Sequence, residues 1–252
     1  GGFSTGQLDA FSSDQLSALT SSQFVSLGTS QIASISSDDV GSLKSSQIRS
    51  LSTAQVRAIT SDQVDGISTE QLVSMGSLQL SAFGTLQIQA LDSDQVRSIS
   101  AGGFVALGSA QVGAIDSDDF AALGSAQLRA LSSTQVRALS SDQFSALSSD
   151  QVGSLSSSQV SSLSTAQLST ISTEDLNAFT ADQLKGLATS QVRGLSTEQI
   201  AALAGQVGAL GSAQVGNLTS SQVVAFSSDQ LGLLATAAIA ALNTSQVAAL
   251  QS

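Results

Sequence analysis

The sequence predicts an all-α solenoid of very short helices, one per octapeptide, about 31 units forming a rod. Three observations carry this. Apolar residues recur every eight positions almost without slippage. A helix-capping pattern recurs in the same register. The charges fall where a helix dipole favours them. Self-similarity this strict marks a repeat array.

Counting the first Leu of Leu131-Ser132-Ser133-Thr134-Gln135-Val136-Arg137-Ala138 as position 0, that position falls at Phe3, Phe11, Leu19 and Leu27 and onward to Leu203. Position 5 is apolar throughout, as at Leu8, Leu16, Phe24 and Ile32. Position 1 is mostly Ser, Thr, Gly, Asp or Asn, the set favoured at a helix N-cap. Gln at position 4 follows three residues later and completes a capping box. Positions 0 and 5 then become N′ and N4, the two ends of a hydrophobic staple. A helix over positions 2 to 7 is therefore expected to restart in every unit.

Twelve of the nineteen acids sit at position 3, and seven of the eight bases at position 6. Acids in the first turn and bases in the last each contribute roughly 0.3–1 kcal/mol. Helices this short are marginal alone, so positions 0 and 5 must be buried against neighbours. One continuous helix is disfavoured, because a step of eight over-rotates by about 80° at 3.6 residues per turn and smears the apolar stripe. The rival is a β-solenoid, which Ser, Thr, Val and Ile suit. It requires period-two alternation, and positions 0, 5 and 8 mix parity.

The array reads as one continuous solenoid over residues 1–252 without a linker. Gly1-Gly2 is a lead-in, and since Gly1 is not a start Met the chain reads as processed or cut from something longer. Leu78 and Leu86 place Leu where neighbouring units are polar or small, which marks a spot for lateral bundling. Ser100-Ala101-Gly102-Gly103-Phe104 has lost the Gln and predicts a softer helix start. Asp116-Ser117-Asp118-Asp119 lacks the Gly and distal Glu of a calcium loop and reads as helix-cap acids. The unit at 203–209 is one residue short, and Gly205 and Gly208 are expected to ease the irregularity.

Position 4 is Gln in twenty-six units and Glu in none. Capping alone accepts either residue, whereas only Gln also donates through an NH₂ group. Each Gln is therefore expected to bond a backbone carbonyl in the adjacent coil, building a ladder seen best at Gln127, Gln135, Gln143, Gln151 and Gln159. The position-2 hydroxyl should face the same seam, small residues at position 7 should let coils approach, and positions 3 and 6 should face water.

Composition restricts the function. There is no His, so Ser-His-Asp chemistry is excluded. Without Cys or His, zinc lacks its usual ligands. Asp38-Asp39 and Asp118-Asp119 are sequence neighbours, which do not face each other on a helix. No catalytic, cofactor or metal site is expected. A net charge of −11 argues against nucleic acid, and no apolar run reaches the ~18 residues that membrane insertion needs.

The octad S/T-x-x-Q-(V/L/I)-x-x-L resembles the octapeptide-repeat regions of large secreted or surface-attached bacterial proteins. That resemblance implies fibre, matrix or adhesin-stalk roles at the cell surface or outside the cell. The expected function is a structural, non-enzymatic subunit of an extracellular filament. It would assemble head-to-tail with copies of itself through open solenoid ends, by way of Phe3, Leu8, Leu242, Val247 and Leu250. The alternatives are a spacer segment of a larger surface adhesin and an ice- or mineral-binding β-solenoid.

Overall fold

A computed structural model describes residues 3–8 and 10–251 of the chain. Among them there are thirty α-helices of four to six residues, one 3₁₀ helix and no strand, so the chain is an α-solenoid. The β-solenoid rival is not the fold.

Local chemistry sets both ends of each helix. In Thr53–Ala58, Ser52 is the N-cap. Gln55 N–H donates to Ser52 Oγ at 3.3 Å, and Ser52 N–H donates to Gln55 Oε1 at 2.9 Å. The helix stops because position 0 turns extended, as at Ile59 with φ −60° and ψ 129°. Its N–H still closes on Val56 O, and the next residue, Thr60, is already the following N-cap. The degenerate unit behaves alike: Ala101–Ala106 is a full six residues, and Gly103 N–H donates to Ser100 Oγ at 3.1 Å.

Within each compact unit a helix packs on the third helix after it. Ser21–Val25 lies on Ser45–Ser50, which lies on Thr69–Ser74. One coil is thus three octads, and residues 24 apart stand in equivalent places in successive coils. Positions 0 and 5 form the core: Val56, Val64, Val96 and Phe120 are fully buried, and Leu51 and Ile59 nearly so. Each fully buried aliphatic side chain contributes roughly 1.5–3 kcal/mol, which isolated helices of six residues lack.

The chain divides into two compact units, residues 1–130 and 131–252, each a stack of such coils. The second contains the short octad. There the chain forms a 3₁₀ helix, Ala204–Ala209. Sequence reasoning gave the irregularity to Gly205 and Gly208, but the only left-handed residue among those described is Ala204, at φ 42°, and no glycine has positive φ. The missing residue is the N-cap. Accordingly Gln206 Oε1 is shut off from solvent with no partner among the described residues, while its Nε2 still reaches Asn177 O at 2.5 Å.

Close approach between coils fixes some small residues. A Cβ on Gly66 would lie 2.1 Å from Ser37 O, a backbone atom of the preceding coil. Gly76 has open space around its Cβ position. Gly66→Ala should therefore destabilise the first unit by about 1–3 kcal/mol through overpacking. Gly76→Ser should stabilise it by a few tenths through a new N-cap hydroxyl. Guanidinium unfolding of the two variants checks both signs. Ala204→Gly should stabilise the second unit by about 1–2 kcal/mol, because the left-handed region penalises Ala by that amount. Calorimetry reads this as a higher melting temperature.

Candidate assembly interface

The surface on which one coil meets the next is built from Gln at position 4. Its side chain is pulled in two directions. The amide oxygen accepts from the N-cap N–H of its own helix, and the amide nitrogen crosses to the coil before. Gln47 Nε2 donates to Leu16 O at 2.9 Å and Leu19 O at 3.0 Å. Gln95 Nε2 donates to Val64 O at 2.8 Å and Ile67 O at 2.7 Å. In the second unit Gln167 reaches Val136 O at 3.0 Å and Leu139 O at 2.9 Å. The acceptors are the carbonyls of positions 5 and 0, which the helix end leaves short of donors. The seam is therefore amide to backbone, rather than amide to amide as in a simple Gln stack.

Of the predicted ladder residues, Gln127 and Gln159 cross this seam. Gln127 Nε2 donates to Ile99 O at 2.6 Å, and Gln159 Nε2 to Leu131 O at 2.8 Å. Gln135, Gln143 and Gln151 accept from the N-cap amides of Ser132, Ser140 and Ser148 at 2.7, 2.9 and 2.7 Å. Beside the one-residue deletion the seam shifts, and Gln206 and Gln230 reach the position-6 carbonyls of Asn177 and Ala201. Gln214 pairs with Leu184 O and Leu187 O, both at 2.8 Å and spaced 30 and 27 residues away. Gln246 returns to spacings of 31 and 28, on Val215 O and Leu218 O.

Hydroxyls line the same seam. Ser74 Oγ at position 7 donates to Ser45 O of the coil before at 3.2 Å, and Ser21 Oγ at position 2 donates to Ser46 O of the coil after at 3.2 Å. Where Asp replaces Gln, a position-2 serine one coil earlier compensates. Ser13, Ser93 and Ser149 donate to Asp39, Asp119 and Asp175 at 2.5, 2.6 and 2.6 Å. Position 6 is mostly exposed, yet Arg137 Nε reaches the seam and donates to Ser162 O at 3.3 Å.

The two sides of a coil differ. One offers Gln donors and the other carbonyl acceptors. In the first coil Gln7, Gln15 and Gln23 are exposed, and their Nε2 atoms meet no acceptor among the described residues. In the last, the carbonyls of Phe226, Leu234 and Leu242 receive no side-chain donor among the described residues. The residues predicted to make end contacts divide accordingly. Phe3, Val247 and Leu250 are 44%, 42% and 40% exposed, Leu242 is half-buried, and Leu8 is buried in its own coil at 2%. Phe3 also packs edge-on against Phe11, with ring centroids 5.0 Å apart. Sequence reasoning thus missed Gln7, Gln15 and Gln23 as end residues, although their place in the ladder register pointed to them.

The coil also sorts charge. Position-3 acids recur every 24 residues, at Asp14, Asp38 and Asp62, then at Glu70, Asp94 and Asp118, and in the second unit at Asp150, Glu174 and Glu198. This spacing is one coil, so each series stacks on one face. The Glu198 carboxyl is held below its ordinary range by hydrogen bonds, first from its own backbone amide and then from the Ser196 and Thr197 hydroxyls. Among the described residues no group of three or more His, Cys, Asp or Glu is arranged to hold a metal. No helix among them is long and apolar enough to cross a membrane.

Gln95→Glu and Gln167→Glu should each cost about 1–3 kcal/mol at neutral pH, and more if the carboxylate stays charged, because two buried carbonyls lose their donor. Burial raises a carboxyl's folded-state pKa. The penalty should therefore shrink as pH falls below that raised value, where the protonated acid regains a donor. Denaturant titration at pH 7 and pH 4 measures both effects.

No curated protein matches the chain. A family model, the ALTTAQ repeat, matches residues 1–29, 32–69, 112–149, 120–157 and 168–205, together more than half of the chain. The six letters of that description run from position 7 through position 4, as in Ser162-Leu163-Ser164-Thr165-Ala166-Gln167. They take in the core residue, the cap and the Gln that crosses the seam. With that match spread over both compact units, the chain belongs to the ALTTAQ-repeat family.

Proposed function

We propose that this repeat protein is a structural element whose coil-to-coil seam also serves as the joint between molecules, giving a filament or matrix fibre outside the cell or on its surface. The observation behind this reading is the polarity of the coil. Donors lie on one side and acceptors on the other, so any coil can receive another in a single orientation. Stacking the Gln7, Gln15 and Gln23 side of one copy on the Phe226, Leu234 and Leu242 carbonyls of the next would satisfy groups that interior coils already satisfy. It would also cover Ile239, Val247 and Leu250, which are 41%, 42% and 40% exposed. A head-to-tail contact that does not close into a ring propagates as an open filament. The reading concerns these residues whether or not further octads flank them in the whole protein.

Nothing in the residue set favours catalysis, since nucleophilic hydroxyls have no His to activate them. The absence of Cys and the low Lys content accord with a secreted or surface protein. The 252-residue chain should sediment as concentration-dependent polymers and show filaments by electron microscopy. Gln7→Glu/Gln15→Glu/Gln23→Glu should shorten them at least tenfold without altering the helical circular dichroism. A chain that stays monomeric at high concentration would sink the joint and favour a spacer segment within a larger surface protein. Filaments indifferent to the triple variant would sink it too.

A further inference from the structure

One face of the first unit stands apart from the rest. Beyond Thr5–Leu8, it is made by the helices Thr29–Ser34, Thr53–Ala58, Ser77–Leu80, Ala101–Ala106 and Ser125–Ala130, each packed on the next. In a chain of net charge −11, these five helices hold no acid. Their only charges are Arg57 and Arg129, on the second and the fifth. Between the two arginines stand Leu78 and Val105, which are 76% and 63% exposed. Elsewhere positions 3 and 6 mostly carry polar, charged or small groups. Exposed apolar side chains on adjacent coils, bracketed by cations, have the composition of an interface centre rather than of an ordinary solvated face.

The complement lies in the second unit. The helices Ser149–Ser154, Thr173–Asn177 and Thr197–Ala202 stack in successive coils. They carry Asp150, Glu174, Asp175 and Glu198 and no base. Position 6 of the three holds Gly153, Asn177 and Ala201, so no large apolar side chain stands out from that position. Leu78 and Val105 could approach such a surface closely. Each strip lacks the charge of the other's sign, so neither would pair favourably with its own copy. Complementary charge rejects like pairings as well as guiding the right one.

We infer that copies of this chain also associate side by side, in a stagger that sets the Arg57–Leu78–Val105–Arg129 strip of one copy on the Asp150–Glu174–Glu198 strip of another. The occupant is a second copy because the acidic strip is part of this same chain and shares its one-coil spacing. The contact is heterologous, so the first copy keeps its acidic strip free and the second its Arg57–Leu78–Val105–Arg129 strip, and further copies can add at either side.

The chain has no cysteine, which permits a direct test on the full-length protein. Copies carrying Leu78→Cys are mixed with copies carrying Asn177→Cys under mild oxidation. Copies with Leu86→Cys, equally exposed at 72% but on a different face, replace the first as control. The Leu78→Cys and Asn177→Cys mixture should form the hetero-disulfide at least tenfold faster than the control. High salt should slow it severalfold, since exposed charges are screened. Arg57→Glu/Arg129→Glu should reduce it to the control rate. Equal rates for the two mixtures would overturn the inference, as would a rate indifferent to the arginine variant. So would preferential Leu78→Cys self-pairing. The Gln7→Glu/Gln15→Glu/Gln23→Glu background should leave the rate unchanged. Cross-linking without filaments would thus refute the end joint alone, and filaments without selective cross-linking would refute the lateral contact alone.

Discussion

The two-way hydrogen bonding of the position-4 glutamine is what the rest of the structure depends on. A helix of six residues leaves most of its backbone groups without intrahelical partners. Its first donors are met by the N-cap hydroxyl and its last acceptors by a glutamine from the following coil. One amide side chain thus closes the start of its own helix and the end of another, four octads earlier. A carboxylate can do the first and not the second. The three positions that do carry Asp recover part of the loss through a serine from the neighbouring coil.

This arrangement makes stability a property of neighbours. Most interior octads bury two apolar side chains and a glutamine, none of which an isolated octad could shelter. Repeat arrays of this kind gain stability from interfaces between successive units. The chain tolerates a deletion for the same reason. Losing one residue at 203–209 costs a cap, leaves Gln206 Oε1 without a partner among the described residues and forces Ala204 into the left-handed region. The seam then resumes, because Gln214 finds its carbonyls one residue nearer in sequence.

The seam is also the reason why structure and assembly belong to one account. A joint between molecules would need no chemistry beyond what already joins coil to coil. The face at Leu78 and Val105 is different in kind, since these two apolar side chains are exposed and stand outside the first unit's core. Charge sorting onto faces follows from the coil: once three octads make a turn, an acid repeated every 24 residues stays on one side and leaves another free of acids.

The sequence by itself determined the helices, their boundaries, the cap and the core. All of these are settled within eight residues, by hydrogen bonds and packing between near neighbours such as Ser52, Gln55, Val56 and Ile59. It also pointed to an inter-coil partner for the glutamine, through the absence of Glu. It did not disclose which carbonyls accept, how many octads make a coil, or that Leu8 is buried while Gln7 is exposed. Those depend on the bend at each extended position-0 residue and on how three such bends close, a sum of small angles that no single octad reports. One trace of the answer was present in the 24-residue spacing of Asp14, Asp38 and Asp62, but spacing acquires spatial meaning only when the coil is known. The strain at Ala204 was likewise decided by tertiary packing. The glycines nearby were free to take it, and the residue that had to turn was the one standing where the missing cap would have been.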